Sequence, residues 1–158
     1  EEGLASISQY LRQLVPGTVG ALYAYEPATD ILRCVASMGD ADGLLSRFEM
    51  PNGERTSGWV RANRMYILNS DASLDLGQAC DAFSPRLRTA LCVPILREDA
   101  CLGVLAIYST LESPFTERHV YVAEQFGRAL SEHLDLVRPH GSVVRFTDGS
   151  RSTSQVRK

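Results

Sequence analysis

The sequence predicts an α+β domain in which helices pack on a mainly antiparallel sheet. Three features predict this class: an apolar helical stripe near the start, two pairs of apolar strands joined by short polar links, and a long amphipathic helix near the end. Strands joined by short links pair as antiparallel hairpins, and helices grouped around such a sheet are typical of α+β domains. A chain of 158 residues is long enough for one core of this kind.

The first predicted element is a short amphipathic helix. Four apolar residues recur at spacings of three and four, which places them in one stripe along a helix. They are Leu4, Ile7, Leu11 and Leu14. Pro16 and Gly17 follow and end the helix.

The two strand pairs are runs rich in aliphatic and aromatic residues. In the first pair, "VGALYAYE" and "DILRCVAS" flank the turn-forming link "PATD". In the second pair, "TALCVPIL" and "CLGVLAIYS" flank "REDA", and both runs are apolar at almost every position. Strands of the second kind have both faces covered. Pro94 has no amide hydrogen for a strand ladder, so we expect it at a bulge or beside an unpaired edge.

The segment between the hairpins, residues 38–88, is the longest stretch without a regular apolar period. Short apolar pieces within it predict a helix near residues 57–63, a strand over 65–69 and a further short helix near 73–82. Irregular segments of this length in a compact domain are often functional.

The last predicted helix begins after Thr116, a residue suited to cap a helix start, and ends before Pro139. It carries two apolar stripes: Val120, Ala123, Gly127, Leu130, Leu134 and Val137, and beside them Val122, Phe126, Ala129, His133 and Leu136. Because one stripe suffices to dock a helix on a sheet, the second predicts a further partner. We expect a homodimer through the terminal helices, with an interface of Leu4, Ile7, Leu11, Leu14, Val120, Ala123, Gly127, Leu130 and Leu134. The alternative is that both stripes are buried within one chain.

Charge and hydropathy argue against two classes of partner. Residues 138–158 hold five basic residues and one acidic residue, which leaves 11 basic and 18 acidic residues, a net charge of −7, for the rest. A nucleic-acid surface needs clustered Lys and Arg, and the single lysine of this chain is its last residue. No apolar run approaches the roughly 20 residues that cross a bilayer. The sequence therefore predicts no nucleic-acid binding and no membrane span in this segment.

The same change in composition predicts the domain organisation. Residues 1–137 are expected to form the domain, and residues 138–158, rich in Gly, Ser and Arg, a linker or the start of a following domain. The chain begins with Glu1 and not with methionine, so we expect a segment of a longer protein that also contains an output domain. Its four cysteines form no Cys-x-x-Cys pair and are expected to be buried free thiols of a cytoplasmic protein.

Three motifs, in order, resemble the GAF domain family, the small-molecule and signal-sensing modules of signalling proteins. They are "GERTSGWVRANRMYILNSD" (53–71), "LRTALCVPIL" (87–96) and "CLGVLAIYSTLESPFTERHVYVAEQFGRAL" (101–130). They are similar to the family's Gly-Trp-Val helix with the following strand, its Val-Pro strand, and its passage from a Gly-Val-Leu strand into the closing helix. The resemblance covers roughly residues 4–137. It implies N- and C-terminal helices on one face of the sheet and short helices and loops over the other.

The resemblance also implies a ligand pocket between the sheet and the middle segment. Its candidate lining residues are Tyr23, Ser57, Trp59, Asn69, Asp71, Phe83, Cys92 and Tyr108. A helix cap by Thr56 or Ser57 would leave backbone amides near the helix start for an anionic or carbonyl group. Trp59 is either a pocket wall or plain core packing. Asn69 and Asp71 either border the pocket or only cap the turn that follows.

The leading functional hypothesis is a sensory or regulatory module of a bacterial histidine kinase, cyclic-dinucleotide enzyme or transcription regulator. It would bind an unidentified small molecule and have no enzymatic activity, and the sequence defines no particular cofactor. One alternative is a dimerisation spacer without ligand. The other is an enzyme similar to the free methionine-(R)-sulfoxide reductases of this family, with Cys80 as the nucleophile; their other cysteine falls where this chain has "TSGW".

The chain lacks the residue patterns that bind three further classes of ligand. Bilin attachment in this family uses a Cys-His pair, which the chain does not contain, and the pattern of the phosphodiesterase cyclic-nucleotide sites is also missing. The three histidines, His119, His133 and His140, are not spaced as metal ligands with each other or with cysteine. We therefore predict no metal site.

Overall fold

The computed structural model describes residues 17–40 and 42–134, except the side chain of His133, together with the backbone of residues 142–147 and 150–155. The predicted first helix, with Leu4, Ile7, Leu11 and Leu14, lies outside the described residues. The described part contains eight strands, three α-helices and two short 3-10 turns. This composition confirms the predicted α+β class.

All eight described strands belong to one curled sheet. They are β1 (Thr18–Glu26), β2 (Ile31–Met38), β3 (Glu49–Pro51), β4 (Ile67–Asp71), β5 (Thr89–Arg97), β6 (Ala100–Ser109), β7 (Ser142–Thr147) and β8 (Ser150–Gln155). Their order across the sheet is β4-β5-β6-β1-β2-β7-β8, and β3 also pairs with β2. Both predicted hairpins are present, and their strands pair antiparallel.

Pro94 lies beside an unpaired part of the β5 edge. It pairs with Val104 of β6 on one side, whereas the pairing of β5 with β4 on the other side ends at Cys92. The position is therefore next to an unpaired edge, as predicted for a residue without an amide hydrogen.

The helices lie close to their predicted positions. They are α1 (Arg55–Asn63), α2 (Ser73–Leu76) and α3 (Glu117–Leu134), and the 3-10 turns are Leu45–Arg47 and Gly77–Ala82. The single short helix predicted near 73–82 is split, because Gly77 adopts φ 56° and ψ −135°, which an α-helix does not accommodate. The α3 helix follows Thr116 as predicted, and the Thr116 carbonyl accepts the amide hydrogen of Val120 at 3.2 Å.

The sheet buries a separate core on each face. On the α3 face, α3 packs against β5 and β6 over a core that includes Leu22, Leu91, Val93, Ile95, Leu105, Ile107 and Phe115. On the α1 face, α1, α2 and the 3-10 turns cover a core that includes Ala21, Tyr23, Leu32, Leu45, Met50, Val60, Leu76, Leu87 and Tyr108. Neighbouring strand residues point to opposite faces, so Ile107 belongs to the first core and Tyr108 to the second.

The α3 helix docks on the sheet through its first apolar stripe. Four of the residues predicted at a dimer interface are instead buried against their own sheet: Val120, Ala123, Leu130 and Leu134. Gly127 belongs to the same contact, since a Cβ there would stand 3.5 Å from the Cγ1 atom of Ile95. In the second stripe, Val122 and Phe126 are half-buried and Ala129 is exposed. The second stripe, and not the first, is therefore the part of α3 that another helix can reach.

The final strands extend the sheet at the β2 edge. Strand β7 pairs in parallel with residues Ala36 to Met38, and β8 pairs antiparallel with β7. Strand β7 contains the residues "SVVRFT". The assignment of residues 138–158 to a linker or a following domain stays a prediction.

Candidate functional site

The start of α1 is held close to the chain that leads into it. A Cβ on Gly58 would stand 2.5 Å from the Pro51 carbonyl oxygen, so this approach requires glycine. Arg55 has a φ of 60°, a left-handed conformation that costs a non-glycine residue on the order of 1 kcal/mol. Its exposed guanidinium donates to the Asp75 carbonyl oxygen at 2.6 Å. This bond ties the first residue of α1 to α2.

Neither Thr56 nor Ser57 caps α1, which corrects that detail of the sequence prediction. The helix begins at Arg55 without a side-chain cap, and Ser57 lies buried in its first turn. The Ser57 amide donates to Oδ1 of Asp75 at 2.8 Å, and its hydroxyl donates to Oδ2 at 2.6 Å. Unpaired amides at a helix start attract negative charge. The anionic group expected there is the Asp75 carboxylate of the same chain.

Two tyrosines extend these hydrogen bonds across the sheet. Tyr108 donates its hydroxyl hydrogen to Oδ2 of Asp75 at 2.8 Å, and the hydroxyl oxygens of Tyr108 and Tyr23 are 2.8 Å apart. Because the single hydroxyl hydrogen of Tyr108 goes to Asp75, Tyr23 donates to Tyr108. Burial raises the pKa of both phenols well above the ordinary value, so both keep their hydrogens at neutral pH.

Cys92 on β5 completes the group. Its Sγ atom is 3.5 Å from the Ser57 hydroxyl oxygen and donates to Oδ2 of Asp75 at 3.7 Å. Burial, and after it the charge of Asp75, raises the thiol pKa well above its ordinary value. Tyr23, Ser57, Asp75, Cys92 and Tyr108 are together called the polar cluster. All five are buried, and four neutral hydrogen-bond donors point at one carboxylate or at each other.

The polar cluster brings together four of the eight predicted pocket residues: Tyr23, Ser57, Cys92 and Tyr108. Phe83 is half-buried and packs against the same core. Trp59 is 38% exposed, on the outer side of α1, and is neither a member of the cluster nor buried in the core.

Asn69 and Asp71 make local contacts away from the polar cluster. The Asn69 side-chain amide donates to the Phe115 carbonyl oxygen at 2.8 Å and accepts the Phe115 amide hydrogen at 3.0 Å, which joins β4 to the approach of α3. Oδ1 of Asp71 accepts both the amide and the hydroxyl hydrogen of Ser73, each at 2.8 Å. Asp71 therefore caps the turn that follows β4, which is one of the two roles that the sequence predicted for it.

Asp75 is the site residue that sequence reasoning missed. It lies between Leu74 and Leu76 in the short helix α2, where an aspartate is normally solvent-exposed. Its partners Ser57 and Tyr108 are 18 and 33 positions away in the chain. No local pattern in the sequence marks it, because the bonds form only when α2 folds over the sheet.

The four cysteines are buried and unpaired, as predicted. Burial raises the pKa of the Cys80 thiol, and Arg86 opposes this effect in part. A cysteine nucleophile attacks as a thiolate. In this conformation Cys80 is therefore predominantly a thiol at neutral pH.

None of the helices among the described residues is long and apolar enough to cross a membrane. The same residues contain no group of three or more His, Cys, Asp or Glu side chains arranged to hold a metal ion.

The sequence matches the GAF domain family over residues 1–136, and the chain belongs to this family. No curated protein sequence matches it significantly. Several solved structures share the fold. One is a type II free methionine-R-sulfoxide reductase from Thermoplasma acidophilum, with 14% identity over 85% of this chain and 91% of that one and a TM-score of 0.64.

Two other similar structures come from signalling and regulatory proteins. The GAF domain of an Acinetobacter phosphoenolpyruvate-protein phosphotransferase has 16% identity over 82% of this chain and 76% of that one, with a TM-score of 0.63. A methyl-accepting chemotaxis protein has 16% identity over 89% of this chain and 94% of that one, with a TM-score of 0.61. At these identities the likeness establishes the fold.

The presence of a reductase among these neighbours contradicts the prediction that the chain is not an enzyme. That prediction rested on the departure at "TSGW", where the reductases of this family have their other cysteine. Since the same fold carries out sulfoxide reduction in the Thermoplasma protein, the fold gives no such exclusion.

Proposed function

We propose that this GAF domain is a sensory or regulatory module of a bacterial signal-transduction protein. The parent protein is a cytoplasmic histidine kinase, cyclic-dinucleotide enzyme or transcription regulator, and the module binds a small molecule at the polar cluster. The observation that carries the proposal is the burial of five hydrogen-bonded polar side chains on the α1 face. Buried polar groups are costly unless fully bonded, and a domain that only spaces its neighbours has no need of them.

The position of the polar cluster supports a relay of the bound state to the terminal helix. Cys92 and Tyr108 lie on β5 and β6, and the alternate residues of the same strands, such as Leu91 and Ile107, pack beneath α3. A ligand that shifts these strands changes the surface on which α3 rests. The output then depends on how much more tightly the ligand binds one arrangement than the other.

A thermal-shift screen of the purified chain tests ligand binding. The library contains metabolites, cyclic nucleotides, haem and free methionine sulfoxide, because a ligand that binds only the folded state raises the melting temperature. We expect a ligand whose stabilising effect is lost in Tyr108→Phe and kept in Tyr66→Phe. Tyr66 is the matched control, since its hydroxyl bonds to Glu117 at the surface. No shift with any compound would favour the spacer hypothesis, and turnover of free methionine sulfoxide would replace the proposal by an enzymatic function.

The homodimer through the terminal helices is the second part of the proposal. The half-buried Val122 of the second stripe is the residue that tests it. We expect the wild type to have a dimeric mass by light scattering and Val122→Glu to be monomeric with an intact far-ultraviolet spectrum. A monomeric wild type, or loss of the fold in Val122→Glu, would support burial of both stripes within one chain.

A further inference from the structure

We propose that the donors around Asp75 form a carboxylate-binding site, that Asp75 fills this site when no ligand is present, and that the ligand's own carboxylate replaces it. The inference rests on the proposed function for the existence of a ligand, and it adds the ligand's chemical class, a small carboxylic acid in its ionised form. It also makes α2, which carries Asp75, the element that ligand binding displaces.

The donors are arranged as a receptor for one carboxylate. Oδ1 accepts the Ser57 amide, and Oδ2 accepts the hydroxyls of Ser57 and Tyr108 and the thiol of Cys92. These donors come from three separate elements, α1, β6 and β5. The Ser57 amide belongs to the first turn of a nine-residue helix, where the helix dipole adds attraction for an anion. Neutral donors of this kind bind a carboxylate without a partner cation.

Asp40 shows what a buried aspartate does when it is only structural. It is 1% exposed, and its two oxygens accept the amide hydrogens of Leu44 and Leu45, four and five positions further along the chain. Asp40 therefore closes its own loop. Asp75, in contrast, makes no side-chain bond within its own segment in the described structure and joins three elements remote from it in sequence.

Displacement of Asp75 would move a segment that is short and has few apolar anchors. Helix α2 has four residues, far fewer than an independently stable helix needs. Gly77 follows it in a conformation open only to glycine, and Leu74 on its outer side is 58% exposed. Its apolar anchors are Ala72 and Leu76 at its two ends. The exposed Arg55 donates to the Asp75 carbonyl oxygen from the outer side of the segment.

Competition with Asp75 sets the apparent affinity for any carboxylate. A ligand binds only the fraction of molecules in which Asp75 has left its site, so its apparent Kd is raised by the inverse of that fraction. Removing the Asp75 side chain removes the competitor and leaves a space of carboxylate size between the same donors. The decisive experiment therefore adds a small carboxylate in solution to a variant that lacks the Asp75 side chain.

The experiment titrates formate into Asp75→Ala and follows the melting temperature, with chloride at equal ionic strength as the reference salt. We expect the variant to melt below the wild type, and formate to restore part of the difference in a saturable manner. Formate should bind the variant at least about tenfold more tightly than the wild type, which keeps its competitor. Formamide, which has the same shape without the charge, should not substitute.

Leu76→Ala is the matched control, because Leu76 is the next residue of the same helix and is buried without any bond to the polar cluster. It is expected to lower the melting temperature, and formate should restore none of the loss. The inference is overturned if formate stabilises Leu76→Ala as much as Asp75→Ala, or if Asp75→Ala folds and shows no saturable response.

A second variant covers the case in which Asp75→Ala does not fold. Asp75→Asn keeps the volume of the side chain and removes its charge. Acetate should then shift the Ser57 amide resonance in this variant at concentrations that leave the wild type unchanged. Equal shifts in both proteins, or none in the variant, would contradict a displaceable carboxylate.

The two proposals can fail separately. If formate stabilises Asp75→Ala but no compound in the thermal-shift screen stabilises the wild type, the carboxylate-binding site is supported and the sensory function is contradicted. If a ligand without a carboxylate binds in a manner that requires Tyr108, and formate does not stabilise Asp75→Ala, the sensory function is supported and the carboxylate-binding site is contradicted.

Discussion

The two faces of the central sheet are equally buried but are stabilised in different ways. On the α3 face, aliphatic side chains such as Leu91, Leu105 and Ile107 pack beneath one long helix. On the α1 face, short elements cover the sheet, and Tyr23 and Tyr108 use their hydroxyls within a hydrogen-bonded cluster around Asp75. Apolar packing has no direction and tolerates small shifts, whereas a hydrogen-bonded cluster holds only while every partner stays in place.

This difference assigns a role to each face. The α3 face carries the contact between the sheet and the terminal helix, and that contact is apolar. The α1 face carries the proposed binding site, and the support for this is that an apolar core of the same volume would be at least as stable as a buried carboxylate with its donors.

Truncation on the α3 face should have the largest effect on stability. Leu105 is fully buried there, so Leu105→Ala removes apolar contacts and leaves a cavity, at a cost of about 2–5 kcal/mol in the free energy of unfolding. Chemical denaturation measures the change. Leu111→Ala is the control, because Leu111 is 48% exposed and its truncation should change stability by no more than about 0.5 kcal/mol. Similar losses in both variants would contradict the burial of Leu105 in the core of this face.

Removal of one hydroxyl on the α1 face should have an intermediate effect. Tyr108→Phe leaves the Tyr23 hydroxyl without its acceptor and Asp75 without one donor, which we expect to cost about 1–3 kcal/mol. The same measurement on Tyr66→Phe should show a change within about 0.5 kcal/mol, since that hydroxyl is at the surface. If the two substitutions were equivalent, the cluster would not be a cooperative unit.

The smallest effect is expected at Asp71, at the rim of the α1 face. The two hydrogen bonds from Ser73, first the amide and then the hydroxyl, lower the pKa of Asp71 in the folded chain. A lowered folded-state pKa gives a stabilisation that is present above the unfolded pKa of about 4 and is lost as the pH falls through the folded value. Asp71 is exposed, so we expect this contribution to remain under about 1 kcal/mol.

The non-titrating variant Asp71→Asn isolates this effect, because its side-chain oxygen still accepts the bonds from Ser73. The difference in unfolding free energy between the wild type and Asp71→Asn should be constant at neutral pH and should shrink below pH 4. A difference that is independent of pH throughout the acidic range would show that the bonds from Ser73 do not depend on the charge.

Most of the fold was predictable because local patterns encode its elements. The apolar runs around "PATD" and "REDA" predicted both hairpins, and the spacing from Val120 to Leu134 predicted the helix that docks on them. The three GAF-like motifs predicted the family that the full comparison identified. The sequence was wrong about two details of the helices: the cap of α1 and the continuity of the helix predicted near 73–82. In each case the difference lies at one residue with an unusual backbone conformation, Arg55 for the start of α1 and Gly77 for the end of α2.

The sequence predicted that α3 exists but did not predict which of its two apolar stripes contacts the sheet. Spacing alone predicts two adjacent stripes and cannot tell which one contacts the sheet, since both are apolar. In the folded chain Gly127 lies against Ile95, and the other described residues of the first stripe belong to the core beneath α3.

Local patterns specify the family and the sheet with its covering helices, because strand and helix periods and the GAF motifs are local properties of the chain. They also indicated four members of the polar cluster as candidate pocket residues. The position of Asp75 at the centre of that cluster, with Trp59 and Asp71 outside it, is visible only in the folded structure. The physical reason is that a buried carboxylate is stable only where donors from separate elements converge. That convergence depends on how the middle segment folds over the curled sheet, which no short stretch of residues specifies.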